Sequence, residues 1–209
     1  MKKVKNKNPA VPGFKASGMH SGIKDKKVKD LALIVSEVPS TAAAVFTKNR
    51  VVSPGVTWSR RALAKSGSCR AVVVNSGNAN AVTGPKGLKD CDAITEKIAG
   101  ELGIPQNEVL IASTGIIGVP LPVEKILKAT PNLISKLGKQ ATNWTEASEA
   151  IMTTDLVSKS DKISYTFKNQ RIEIGGITKG SGMIHPNMAT MPLPVGGCSG
   201  TGWMPSPPA

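Results

Sequence analysis

Thr190 is the residue to which chemistry can be attached most readily, because of the string that leads to it: Lys179-Gly-Ser-Gly-Met-Ile-His-Pro-Asn-Met-Ala-Thr190. A threonine hydroxyl is a weak nucleophile unless a base activates it, and one known base is the threonine's own α-amino group. An internal threonine gains that group only if the bond before it is cut. Attack of the Thr190 hydroxyl on the Ala189 carbonyl would give an ester, and hydrolysis would release the amine. An α-amino group of ordinary pKa, about 7.7–8.0, can then act as a base near neutrality. The β-branch restricts χ1 and helps hold the hydroxyl. Gly180, Gly182 and the turn-forming Pro186-Asn187 let the chain bend sharply before the candidate bond. Taken alone, the same dodecamer reads as an ordinary loop.

Three further stretches could serve such a nucleophile. Val109-Leu-Ile-Ala-Ser-Thr-Gly-Ile-Ile-Gly-Val-Pro120 is a strand entering a glycine loop whose N–H groups could hold an oxyanion. It lacks the Gly-Lys-Ser/Thr ending of a phosphate-binding P-loop. Ala71-Val-Val-Val-Asn-Ser-Gly-Asn-Ala-Asn80 carries a β-branched strand into an Asn/Gly loop that could form an anion-binding nest; by pattern alone it reads as a plain strand-to-helix connection. Ala150-Ile-Met-Thr-Thr-Asp155 reads, by pattern alone, as the end of a helix.

The elements that must position these residues point to an α/β fold. Strands are predicted around 31–35, 43–46, 71–75 and 109–112, with a hairpin over 163–174 turning at Asn169. Leu88, Cys91, Ile94, Ile98 and Leu102 form one apolar stripe, giving a helix over 87–102 stopped by Gly103 and Pro105. Cys91 on that stripe is a small core residue. A short helix is predicted over 59–65. A helical region over 122–150 divides into pieces at 123–129 and 133–137, broken at Thr130-Pro131, and a third helix begins with a capping-box variant, Asn143 to Glu146. Residues 1–10 are a Lys-rich, disordered start, and fraying extends to about residue 12.

The chain's 209 residues suffice for one domain with a real core. Aromatics make up only 3%, so that core must rest on Val, Ile, Leu, Ala and Met. A net charge of +13 invites a nucleic-acid reading, but stacking aromatics are nearly absent and a solvated lysine face is favoured. Cys69, Cys91 and Cys198 are odd in number and show no C-x-x-C spacing, which points to a reducing compartment and no metal site. The basic start lacks the apolar segment of a secretory signal, and no apolar run has membrane-spanning length, so a cytoplasmic location is expected.

The string from Lys179 to Met191 closely resembles the self-cleavage signature of the ornithine acetyltransferase family, the bifunctional glutamate N-acetyltransferases of arginine biosynthesis. The segments 11–18, 47–51, 71–80, 109–120 and 150–155 resemble the same family, and the likeness runs from about Val11 to Met191. It implies a layered α/β sandwich, over residues 11–191, in which two chains cut from one precursor intertwine. It implies that Thr190 is nucleophile and substrate-binding residue, that Ala189–Thr190 is the cleavage site, that Thr114 and Gly115 form the oxyanion hole, that Thr153 and Lys179 bind substrate, and that the loop within 71–80 shapes the site without a catalytic role. A lysine suits an α-carboxylate. The implied reaction takes acetyl from N2-acetylornithine to glutamate, with acetyl-CoA as a donor in some members and no bound cofactor.

After Met191 the likeness stops, and residues 192–209 form a charge-free Pro/Gly-rich tail expected to be disordered. The expectation is a truncated copy, with a frameshift as one origin, lacking the family's second chain and without transferase activity on its own. Two rivals stay open. A self-cleaving amidase or peptidase would release its acyl group to water rather than to glutamate. A basic nucleic-acid binder would lose affinity steeply with salt.

Overall fold

The computed structural model describes residues 4–6, 8–25, 27–180 and 195–200. Its centre is β4 (Ser68–Asn78), whose run Ala71-Val-Val-Val74 is apolar on both faces because both are covered. On one side β4 pairs antiparallel with β3 (Leu31–Thr41), which pairs antiparallel with β2 (Phe14–Met19). On the other it pairs in parallel with β5 (Val109–Ile116), the edge of this four-stranded sheet. Parallel neighbours need a crossover, and α2 (Gly84–Leu102) supplies it. Its buried positions Gly87, Cys91, Ile94, Ile98 and Ala99 repeat at three and four residues, and Gly103 at φ 64° closes it by donating to Ala99 O and Gly100 O.

The first face of the sheet meets α1 (Pro54–Ser66), α2 and α3 (Val123–Ser135), with Leu31, Leu33, Val73, Ile94, Ile98, Val109, Ile126 and Leu133 in the shared core. The opposite face carries Ala16, Ala32, Ile34 and Val74 against Trp144, Ala147 and Ala150 of α4 (Ala141–Ala150). Gly18 of β2 is required there, since a Cβ would lie 2.1 Å from Glu146 O. A second sheet, antiparallel throughout, runs β1 (Val4–Asn6), β6 (Lys159–Phe167), β7 (Gln170–Thr178) and β8 (Val195–Gly200), and Ile177 of β7 joins the core under α4. The α/β class and the layering are as expected.

Several elements differ from the expectation. No strand forms at 43–46: β3 ends at Thr41, no strand among the described residues pairs with 43–46, and Val45 is 70% exposed. The first helix begins at Pro54, five residues early, because proline suits the first turn. Helix α3 passes through Pro131 without breaking. Proline there costs about 3 kcal/mol, but a break would undo the burial of Ile126, Thr130 and Leu133 along one face. The capping box of α4 lies one turn earlier than predicted, with Gln140 as the cap and Asn143 as its reciprocal partner. Strands β1 and β8 form where the sequence offers no strand period, β8 lining the free edge of β7 from Ile172 to Ile177. Backbone pairing at an edge needs no such period.

Candidate active site

Parallel strands β4 and β5 end side by side at Asn75–Asn78 and Ser113–Ile116, and in open α/β sheets the carboxyl ends of strands are where ligand crevices form. The register there is irregular at Gly77 and Asn78. Gly115 has φ 138°, and a Cβ on it would stand 2.3 Å from Gly77 C and 2.5 Å from Asn78 N, so only glycine fits. The asparagines hold this end of the sheet. Asn78 Nδ2 donates to the carbonyls of Val119 (3.1 Å) and Pro120 (3.2 Å), while its Oδ1 accepts from Asn80 N–H at 2.8 Å. Asn80, at φ 43°, donates to Gly87 O and receives the Thr83 hydroxyl, tying the loop to the start of α2.

Lys179, just beyond β7, reaches across from the second sheet. Its ammonium donates to Thr114 Oγ1 at 2.9 Å, joining residues 65 apart in the chain. A hydroxyl has two acceptor lone pairs and one proton. With Lys179 on a lone pair, the Thr114 O–H remains free to donate and is polarised toward doing so. Burial pushes the Lys179 ammonium below the ordinary lysine pKa; the Asp155 carboxylate opposes this and the Lys159 ammonium adds to it.

Thr153 sits in the turn after α4 and lines, with Lys24, Lys27, Lys29, Glu149 and Met152, a cavity of about 480 Å³. Its own N–H donates to Asp155 Oδ2 at 3.4 Å. The structure therefore brings Thr114, Gly115 and Lys179 to one end of the sheet, and links Thr153 to them through Asp155. Ala189 and Thr190 lie outside the described residues.

Sequence reasoning passed over several charged groups here. Asp155, which by pattern alone only ends a helix, has a side chain that is 1% exposed and holds the Lys159 ammonium and the Gly180 N–H, the latter at 3.0 Å. Lys24 donates to Met152 O (2.8 Å) and Lys29 O (3.2 Å), bridging the loop after β2 to the turn after α4. Asp30, fully buried, folds that loop by accepting from the N–H groups of Ser21, Ile23 and Lys24 and from the Ser21 hydroxyl. Only their mutual placement in three dimensions reveals them. Cys91 is buried on α2 with its thiol pushed up to about 12, as suits an inert core residue. Among the described residues no cluster of three metal-ligating side chains occurs, and no helix is long and apolar enough to cross a membrane.

Known proteins resemble this chain over most of its length. The ArgJ family model matches residues 15–194. The arginine biosynthesis bifunctional protein ArgJ of Gloeobacter violaceus is 47% identical over 182 residues, which is 87% of this chain and 44% of that protein. Its counterpart in Caldanaerobacter subterraneus is 48% identical over 180 residues, 86% of this chain and 43% of that protein. The chain thus spans less than half the length of these curated relatives. Two crystal structures superpose closely. ArgJ from Bacillus halodurans gives a TM-score of 0.85 at 39% identity, covering 90% of this chain and 98% of that one. Ornithine acetyltransferase from Mycobacterium tuberculosis, complexed with ornithine, gives 0.82 at 36%, covering 89% and 99%. In extent of match, identity and fold alike, this chain belongs to the ArgJ family.

Proposed function

We propose that this chain supplies the acyl-transfer half-site of an enzyme that moves acetyl from N2-acetylornithine to glutamate, through an acetyl ester on Thr190. The observation that carries the reading is the Lys179–Thr114 hydrogen bond at the carboxyl end of β5, beside a glycine that no other residue can replace. It is supported by the ornithine held in the Mycobacterium tuberculosis relative.

In this reading the Thr190 hydroxyl first attacks the Ala189 carbonyl carbon, the peptide C–N bond breaks, and the nitrogen leaves as the α-amine of Thr190. Water then hydrolyses the ester. The new amine next takes the hydroxyl proton as Thr190 Oγ attacks the acetyl carbon of the donor. Thr114 O–H and Gly115 N–H stabilise the oxyanion, and ornithine departs with the proton. Glutamate's amine reverses the sequence and leaves as N-acetylglutamate, and acetyl-CoA can serve as an alternative donor. Lys179 and Thr153 hold the substrate, the lysine facing its carboxylate. The curated relatives continue well beyond the matched region, and the remaining substrate contacts and the partner chain are assigned to that part. Cleavage at this point accords with the solved Bacillus halodurans chain, which is matched over 98% of its own length although curated family members are matched over less than half.

The test is a precursor in which residues 1–190 are continued by the second part of the Gloeobacter violaceus relative. Intact mass and amino-terminal sequencing should find a new terminus at Thr190, and Thr190→Ala should abolish both that terminus and acetyl transfer to glutamate. An Ala variant that still transfers acetyl would end the assignment. Release of acetate to water with no N-acetylglutamate would favour the amidase reading instead.

A further inference from the structure

We propose that Asp155 is a positioning residue: its carboxylate tethers the Gly180 amide and presents a negative charge beside Lys179, so that the ammonium stays seated on Thr114. The proposal rests on the reading of Thr114 and Lys179 as an acyl-transfer site.

Its geometry is that of a hub. The Asp155 side chain is 1% exposed, and a carboxylate so deep must be paired to remain charged. Oδ1 accepts from Gly180 N–H at 3.0 Å and from the Lys159 ammonium of β6, while Oδ2 accepts from Thr153 N–H at 3.4 Å. One side chain therefore joins the turn after α4, the first residue pair of β6 and the exit of β7. Lys179 is the residue immediately before Gly180, so anchoring the Gly180 amide fixes where the Lys179 side chain starts its reach to Thr114.

The same tether places the carboxylate beside Lys179, and its charge acts in the same sense. The groups acting on Lys179 are Asp155, Lys159 from β6 and Lys24 from the loop after β2, with Thr114 of β5 as its hydrogen-bond acceptor. Lys24 in turn faces Asp30. Three half-sheltered ammoniums thus converge where Asp155 is the carboxylate acting on Lys179. Burial alone would raise the Asp155 pKa, but Lys159 and the two N–H groups outweigh it and hold it below the usual range, so the anion persists at neutral pH. Without it, Lys179 would lose its proton more readily, and a neutral amine at that position polarises the Thr114 hydroxyl less.

Two substitutions separate tether from charge. Asp155→Asn keeps an oxygen that can accept from Gly180 and removes the charge; Asp155→Ala removes both. The protein is the 209-residue chain, and thermal melts confirm that each variant folds. Competitive acetylation with acetic anhydride across pH, scored by mass spectrometry at Lys179 against exposed Lys128, reads the charge state. Hydrogen exchange at the Gly180 amide reads the tether. In Asp155→Asn, Lys179 should label at lower pH than in the wild type, with Gly180 exchange little changed. In Asp155→Ala, the Gly180 amide should also exchange about tenfold faster, as the loss of a charge-assisted hydrogen bond implies. An unmoved Lys179 labelling curve in folded Asp155→Asn overturns the proposal, and so does unchanged Gly180 exchange in folded Asp155→Ala. Should the Ala variant not fold, the Asn labelling curve decides alone. Neither readout depends on cleavage or acetyl transfer, so a wild-type protein without those activities would count against the functional reading and not against this one.

Discussion

The two sides of β4 and β5 contrast with their ends. Before those ends, Val73, Val109 and Ile111 meet Ile94 and Ile98 in a cluster of buried aliphatic side chains. A few residues further on, at Ser113–Gly115, the same strands run into a charged seam, where Lys159 and Lys179 face Asp155 and Lys24 faces Asp30 and Lys179. The core is held by non-directional burial, which tolerates any well-filled arrangement. The seam is held by a few directional bonds whose failure leaves a sheltered charge unpaired. Stability should therefore be concentrated in the first region and pH sensitivity in the second.

The largest effect that would sharpen this contrast is Ile94→Ala. The residue is fully buried, and removing it from a packed core should cost about 2–5 kcal/mol in urea denaturation. A loss below about 1 kcal/mol would mean that the α2 face is loosely packed. Next is Gly115→Ala. The residue's φ of 138° and the close approach of Gly77 impose backbone strain of roughly 1–3 kcal/mol, and the distortion falls on the oxyanion position itself. A variant with unaltered stability would show that this turn differs in solution.

The helix α2 and the β6–β7 hairpin were legible in the sequence because one period dictates each of them, and β4 because its β-branched apolar run suits a strand covered on both faces. The break at Pro131 and the strand at 43–46 were not, since a local rule is overruled there, in one case by burial across Pro131 and in the other by the want of a pairing strand. For the candidate site, motif strings single out Thr114, Gly115, Thr153 and Lys179, and the structure brings Thr114, Gly115 and Lys179 to one end of the sheet. Asp155 and Lys24 carry no such signal, because their bonds to Gly180 and Met152 join segments far apart in the chain; Asp30 acts within its own loop, on Ser21, Ile23 and Lys24, at spacings that form no recognisable motif. Lys159 lies only four residues from Asp155 but in a strand, where that spacing carries no signal.

A smaller effect concerns pH. Asp155 is held below its ordinary value, so the stability it contributes is present above the ordinary carboxylate range and is lost as pH falls through the lowered one. Lys179 is also lowered, so between its folded and ordinary values the unfolded chain binds more protons, and stability rises with pH in that window. Urea midpoints measured against pH should flatten on the acid side in Asp155→Asn and on the alkaline side in Lys179→Met. Identical profiles in wild type and both variants would erase the distinction between core and seam. The smallest effect should come from Leu156→Ser. At 97% exposure it lies beside the seam but in no core, and its stability should change by no more than about 0.5 kcal/mol.

The most direct test of the central claim, that the Thr114–Lys179 pair marks an acyl-transfer site, is the single-turnover rate at which Thr190 becomes acetylated by N2-acetylornithine in the joined precursor, compared between wild type and Thr114→Ala. Quenched samples analysed by mass spectrometry give that rate at the peptide beginning with Thr190. Loss of one oxyanion donor should slow acetylation by about 10²–10³-fold with the fold intact. An equal rate in the two proteins would contradict the account, because the Thr114 hydroxyl would then not face the developing charge.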